Sequence, residues 1–120
     1  MEQLEGLRLR YLKAERVDTP FGTLASLALV SPTDENLGNV EGVLIDPLER
    51  EVCYFVVESR RLLKTHRYLL PLKPFRIDSE ALHLELEPAD LRQLPEVQSD
   101  SFAQFSDEDL LAALFSTRAA

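Results

Sequence analysis

The sequence predicts a mostly β fold of about six short strands forming a small barrel or sandwich, with one short closing helix and one C-terminal amphipathic helix. Three observations carry this expectation. Short apolar runs are separated at close intervals by Gly, Pro, Asp and Asn, the residues that turn a chain. The run Gly38 to Glu58, GNVEGVLIDPLEREVCYFVVE, holds two strand-like stretches around a charged turn. Leu82, Leu84 and Leu86 alternate with His83, Glu85 and Glu87, which is the period of a half-buried strand.

Residues 4–16 fit two templates. Leu7, Leu9 and Tyr11 alternate with Arg8 and Arg10 as in a strand, whereas Leu4, Leu7 and Tyr11 share one helical face. The strand is favoured because the turn Asp18-Thr19-Pro20-Phe21-Gly22 comes next, after which Thr23 to Val30 is expected to return antiparallel. Ser31 to Leu37 reads as a polar loop. Val40 to Ile45 is β-branched and apolar, and Gly42 inside it marks a bulge or a close approach. Asp46-Pro47-Leu48-Glu49-Arg50 is the turn. Val52 to Val57 is almost continuously apolar, which predicts a strand covered on both faces. Ser59 to Lys64 reads as a basic connection, and Thr65 to Leu70 as a strand stopped by Pro71. Phe75 to Ile77, the turn Asp78-Ser79-Glu80 and Ala81 to Glu87 form a hairpin. Pro88 suits a first helical turn, with Leu91 and Leu94 as a helical pair.

Pro95 to Gln104 is polar, acidic and without period, as in a linker or extended tail. The last element has a cap in Ser106 and acids at 107, 108 and 109 in its first turn, with Phe105 and Leu110 placed as a staple. Leu110, Leu111, Leu114 and Phe115 make its apolar stripe. The expected division is a β domain over 1–95, then an acidic linker and helix over 96–120.

A length of 120 residues fits one domain. The formal charge of −8 disfavours nonspecific binding to nucleic-acid backbones and anionic membranes. Cys53 is the only cysteine, so no intrachain disulfide forms, and a cytoplasmic, reducing compartment is expected. The acidic start Met1-Glu2-Gln3-Leu4-Glu5 is neither a signal peptide nor a membrane span, and charges interrupt every later apolar run.

Gly38-Asn39-Val40-Glu41-Gly42-Val43-Leu44-Ile45-Asp46-Pro47, together with Arg50-Glu51-Val52-Cys53-Tyr54-Phe55-Val56-Val57-Glu58, resembles the PRC-barrel family. Tyr68-Leu69-Leu70-Pro71-Leu72 resembles the family's strand into proline, and Leu91-Arg92-Gln93-Leu94-Pro95 its closing helix. The resemblance is strongest over 25–95. It implies a small antiparallel PRC-type β-barrel of about six strands. Known members include the cytoplasmic part of the photosynthetic reaction centre H subunit and the C-terminal domain of a ribosome-maturation factor. The resemblance implies a stand-alone member with an adaptor-like, protein-binding role and no catalysis.

No catalytic, cofactor or metal residue is assigned. His66, His83 and Cys53 lack zinc-site spacing, and Cys53 reads as a small buried hydrophobe. Glu41, Asp46 and Glu58 could meet near one hairpin, but solvated turn and edge positions account for them. Charge segregates: Arg60, Arg61, Lys64, Arg67, Lys73 and Arg76 occur without an acid among them, and the acids at 96, 100, 107, 108 and 109 without a base. This layout fits a solvated face and a solvated tail, or an acidic tail that docks on the basic stretch, in the same chain or a neighbour, with Phe102, Phe105, Leu110, Leu111, Leu114 and Phe115 supplying burial. The first functional reading is a self-associating protein-interaction adaptor within a larger assembly, dimerising through the C-terminal helix. The second is an RNA- or ribosome-associated maturation factor using Arg60, Arg61, Lys64 and Arg67 with Tyr68 as a stacking platform. The third is a small hydrolase-like enzyme, which needs a deep pocket with converging polar groups.

Overall fold

A computed structural model describes residues 9–98 and 102–106. Strand β1 (Arg10–Lys13) runs into a 3-10 turn and a two-stranded ribbon, β2 (Asp18–Thr19) and β3 (Gly22–Thr23). After a second 3-10 turn come β4 (Ala28–Val30), β5 (Asn36–Asp46), β6 (Glu51–Arg61) and β7 (Lys64–Pro71). Strands β8 (Phe75–Ile77) and β9 (Ala81–Leu84) precede the single-turn helix α1 (Pro88–Leu91).

Seven strands form one sheet in the order β7-β6-β5-β4-β9-β8, with β1 also on β5. The long strand β5 organises it. Its edge opposite β6 is shared: the Asn36–Asn39 part pairs with β4 and the Gly42–Ile45 part with β1. The change of partner falls where the β5–β6 register shifts between Val40 and Gly42. A bulge there bends the strand and re-aims its C-terminal half. A Cβ on Gly42 would lie 2.4 Å from the Tyr11 ring, so the expected bulge and the expected close approach occur together.

The return of Thr23 to Val30 along the first strand is not observed. Thr19 closes the ribbon locally: its Oγ1 accepts from Phe21 N at 3.1 Å and donates to Gly22 O at 2.7 Å. The 3-10 turn at Leu24–Ser26 then redirects the chain, and β4 pairs antiparallel with β5 and parallel with β9. Residues 9–16 hold a strand and a 3-10 turn.

The expected barrel does not close. No ladder joins β7 to β8 among the described residues. Pro71 and Pro74 flank that crossing, and neither has an N–H to donate. The open sheet still wraps one core of Leu29, Leu37, Val43, Phe55, Val57, Leu70, Leu82 and neighbours, and Leu91 of α1 is buried in it. Val56 faces the other way, into a second cluster with Leu9, Tyr11 and Leu44. Val56 and Val57 are each fully buried, so the centre of β6 is covered on both faces as its composition predicts. Each such side chain contributes roughly 1.5–3 kcal/mol through burial.

The segment expected as an acidic linker lies along the sheet. Leu69 N donates to Pro95 O and Val97 N to Arg67 O, both at 2.9 Å, covering the outer edge of β7. Tyr11 N donates to Ala103 O and Phe105 N to Tyr11 O, both at 2.8 Å, covering the outer edge of β1. Val97 and Phe102 pack on the second cluster. These edges are thereby protected from further pairing. The expected C-terminal helix lies outside the described residues.

Candidate interaction surfaces

The basic stretch is no loop. Strands β6 and β7 stay in register from Tyr54 opposite Pro71 to Arg61 opposite Lys64. This corrects the connection expected over Ser59 to Lys64. Only Leu62 and Leu63 turn the chain, both at positive φ (52° and 64°), as in a type I′ turn. That turn normally takes Asn-Gly, because bulky side chains resist the left-handed region. Both leucines are 89% exposed. Arg60, Arg61 and Lys64 flank them, exposed and without an ion pair among the described residues.

The other basic residues go elsewhere. The Arg67 Nε donates to a Glu41 carboxylate oxygen, and its Nη2 lies 3.7 Å from Glu58 Oε2. Hydrogen bonding to Glu41 and its charge hold the Arg67 guanidinium's pKa above its ordinary value. Tyr11 OH donates toward the same glutamate, 3.2 Å from Oε1. Tyr11, Lys13, Glu41, Glu58, Arg67 and Gln104 line a cleft of about 490 Å³. Glu41 and Glu58 thus meet across Arg67, whereas Asp46 sits at the far turn. It is buried rather than solvated, and its Oδ1 accepts from Leu48 N at 3.0 Å and Glu49 N at 3.3 Å.

Tyr68 is 3% exposed and belongs to the core, so it offers no stacking platform to a nucleobase. The period-2 signal is present in the sequence: Tyr68 and Leu70 share the face opposite Arg67 and Leu69. His66 stacks on Tyr68 with ring centroids 6.0 Å apart, and its Nδ1 is 2.8 Å from Glu96 Oε1. Glu96 therefore meets the basic strand within the same chain. Phe102 and Phe105 are half-buried, and Leu111, Leu114 and Phe115 lie outside the described residues. Cys53 is half-buried rather than buried. No three His, Cys, Asp or Glu side chains converge as for a metal among the described residues.

At the opposite end of β6, where the sheet stays open, Val17, Pro20, Val52, Phe55, Leu72, Phe75 and Ile77 line an apolar groove of about 250 Å³. Leu72 is 40% and Phe75 44% exposed, and the Phe75 ring leans on Phe55 at 5.7 Å. Strand β8 bounds this groove and pairs only with β9 among the described residues. The groove gathers residues from separate segments, and Leu62-Leu63 contradicts the turn it occupies, which is why sequence reasoning misses both.

The β8–β9 turn is fixed by Asp78. Its Oδ1 accepts from Glu80 N and Ala81 N, both at 2.9 Å, and its Oδ2 lies 2.8 Å from His83 Nε2. These backbone donors, then His83, hold the Asp78 carboxyl well below the usual carboxylate range. A depressed folded-state pKa contributes stability that is full above the unfolded value of about 3.9 and is lost as pH falls through the folded value. Asp78→Asn is therefore expected to unfold at lower denaturant than the parent at neutral pH. The gap should narrow steadily below about pH 4 in urea titrations.

Among the described residues no helix is long and apolar enough to cross a membrane. No protein-family model matches the sequence, and no curated protein matches it.

Proposed function

We propose that this chain is a non-catalytic protein-interaction module, an adaptor within a larger assembly, built on a PRC-barrel-type framework and self-associating at the open end of its sheet. One observation carries the reading. Among the described residues strand β8 leaves an edge open beside an apolar groove in which Leu72 and Phe75 stand exposed, while residues 95–105 cover the outer edges of β7 and β1. An open edge beside an apolar groove accepts a partner strand, with main-chain hydrogen bonds for affinity and pockets for alternate side chains. A second copy offers the same edge, and pairing about a two-fold axis closes the assembly. The polar cleft supports binding over chemistry. Its guanidinium is tied to Glu41 and Glu58, and Tyr11 OH also donates to Glu41, so these side chains already engage one another.

Light scattering tests this. The parent should have about twice its 13.6 kDa chain mass at micromolar concentration. Leu72→Asp with Phe75→Asp should run as a folded monomer. A monomeric parent would sink the self-association, and a dimer that survives both substitutions would remove the groove from the interface.

A further inference from the structure

We propose that the β6–β7 apex is a membrane-docking finger: Leu62 and Leu63 insert into the apolar boundary of a bilayer whose anionic headgroups pair with Arg60, Arg61 and Lys64.

The apex is strained and uncovered. Two leucines in left-handed backbone conformation are strained, and nothing among the described residues packs on them to compensate, since both are 89% exposed. Arg61 and Lys64 stand directly opposite each other on paired strands, where like charges repel. Three local rules of hairpin construction fail within five residues, Arg60 to Lys64. Such failures, uncompensated within the fold, concentrate at functional sites.

The order of the groups identifies the occupant. The apolar pair is outermost. Arg61 and Lys64 stand one residue behind and Arg60 two, roughly 3–7 Å back along the strands. An acidic protein surface would need a preformed pocket for two leucines inside a ring of carboxylates. A bilayer has this profile everywhere: an anionic layer, then an apolar phase about 5–10 Å deeper. Arg and Lys stems can lie along the apolar boundary while their charges stay with the headgroups. The chain's −8 charge does not decide the matter, because exposed charges are screened beyond roughly 8 Å at physiological salt. The groove lies toward the other end of β6, so membrane docking leaves it accessible.

Sedimentation of the full chain with vesicles tests the proposal. It should pellet with mixed phosphatidylserine–phosphatidylcholine vesicles, weakly with phosphatidylcholine alone, and less as salt rises. Neutralising Arg60, Arg61 and Lys64 to Gln should weaken anionic-vesicle binding by about 100-fold. Leu62→Asn with Leu63→Gly suits the turn and should fold, yet should weaken binding at least about tenfold. Leu72→Asp with Phe75→Asp should leave vesicle binding intact, which separates this finger from the proposed interface at the open end. A parent chain that does not prefer anionic vesicles overturns the proposal. So does unchanged binding by the Asn-Gly variant, which would reduce the apex to a charge patch. Binding to a single-stranded RNA homopolymer in preference to the vesicles would also overturn it.

Discussion

Gly38→Ala is expected to lower the free energy of unfolding by about 3–5 kcal/mol, a large effect for one added methyl group. Two causes act together. Gly38 has φ of 119°, a conformation open to glycine and costly for any residue with a Cβ. The added Cβ would also lie 2.1 Å from the Glu58 carbonyl oxygen and 3.2 Å from Ser59 Cα. Both are backbone atoms of the neighbouring strand, so no side-chain rotation relieves the overlap. The β5–β6 pairing would have to separate at the point where β5 also holds β4. Urea titration monitored by circular dichroism measures the loss. A loss below about 1 kcal/mol would show that the two strands are not held this closely.

The double substitution Leu62→Asn, Leu63→Gly is expected to raise stability by about 1–2 kcal/mol. Most substitutions destabilise, so the sign alone is informative. Two exposed leucines give up little packing, and Asn-Gly occupies the left-handed region at far lower cost. A gain in stability would show that Leu62 and Leu63 are strained within the fold, as the proposed docking finger requires. Thermal denaturation of the pair measures it. A less stable Asn-Gly variant would mean that the leucines pack on the protein itself.

Several parts of the fold are legible in the sequence because they are written in local chemistry. The alternation of Leu82, Leu84 and Leu86 marks buried leucines, although the strand itself ends at Leu84 and Leu86 lies past it. Asp46-Pro47 forms the expected turn, with Arg50 at φ 58° completing it. Gly42 announces the bulge that divides β5 between two partners. The hidden parts depend on distant regions of the chain. The parallel pairing of Ala28–Val30 with Ala81–His83 joins segments that carry no mutual signal. The failure of β7 to reach β8 depends on where two prolines fall in three dimensions. The hairpin apex is hidden for another reason: Leu-Leu contradicts the turn it occupies, and local propensity points away from the observed structure. The candidate site is less legible than the fold. Arg60, Arg61 and Lys64 stand out by charge, but so does Arg67, which is tied to Glu41 and Glu58, and Tyr68 beside it is in the core. The apolar groups between them, Leu62 and Leu63, become visible only once the hairpin places them outermost.

Hydrogen exchange of the full chain at low and high concentration tests the proposed self-association at the open end of the sheet, read at the β8 amides that do not donate to β9. These amides, within Phe75–Ile77, should gain protection as concentration rises, and the gain should be lost with Leu72→Asp and Phe75→Asp. Exchange at β8 that is fast and the same at every concentration would contradict self-association through this edge.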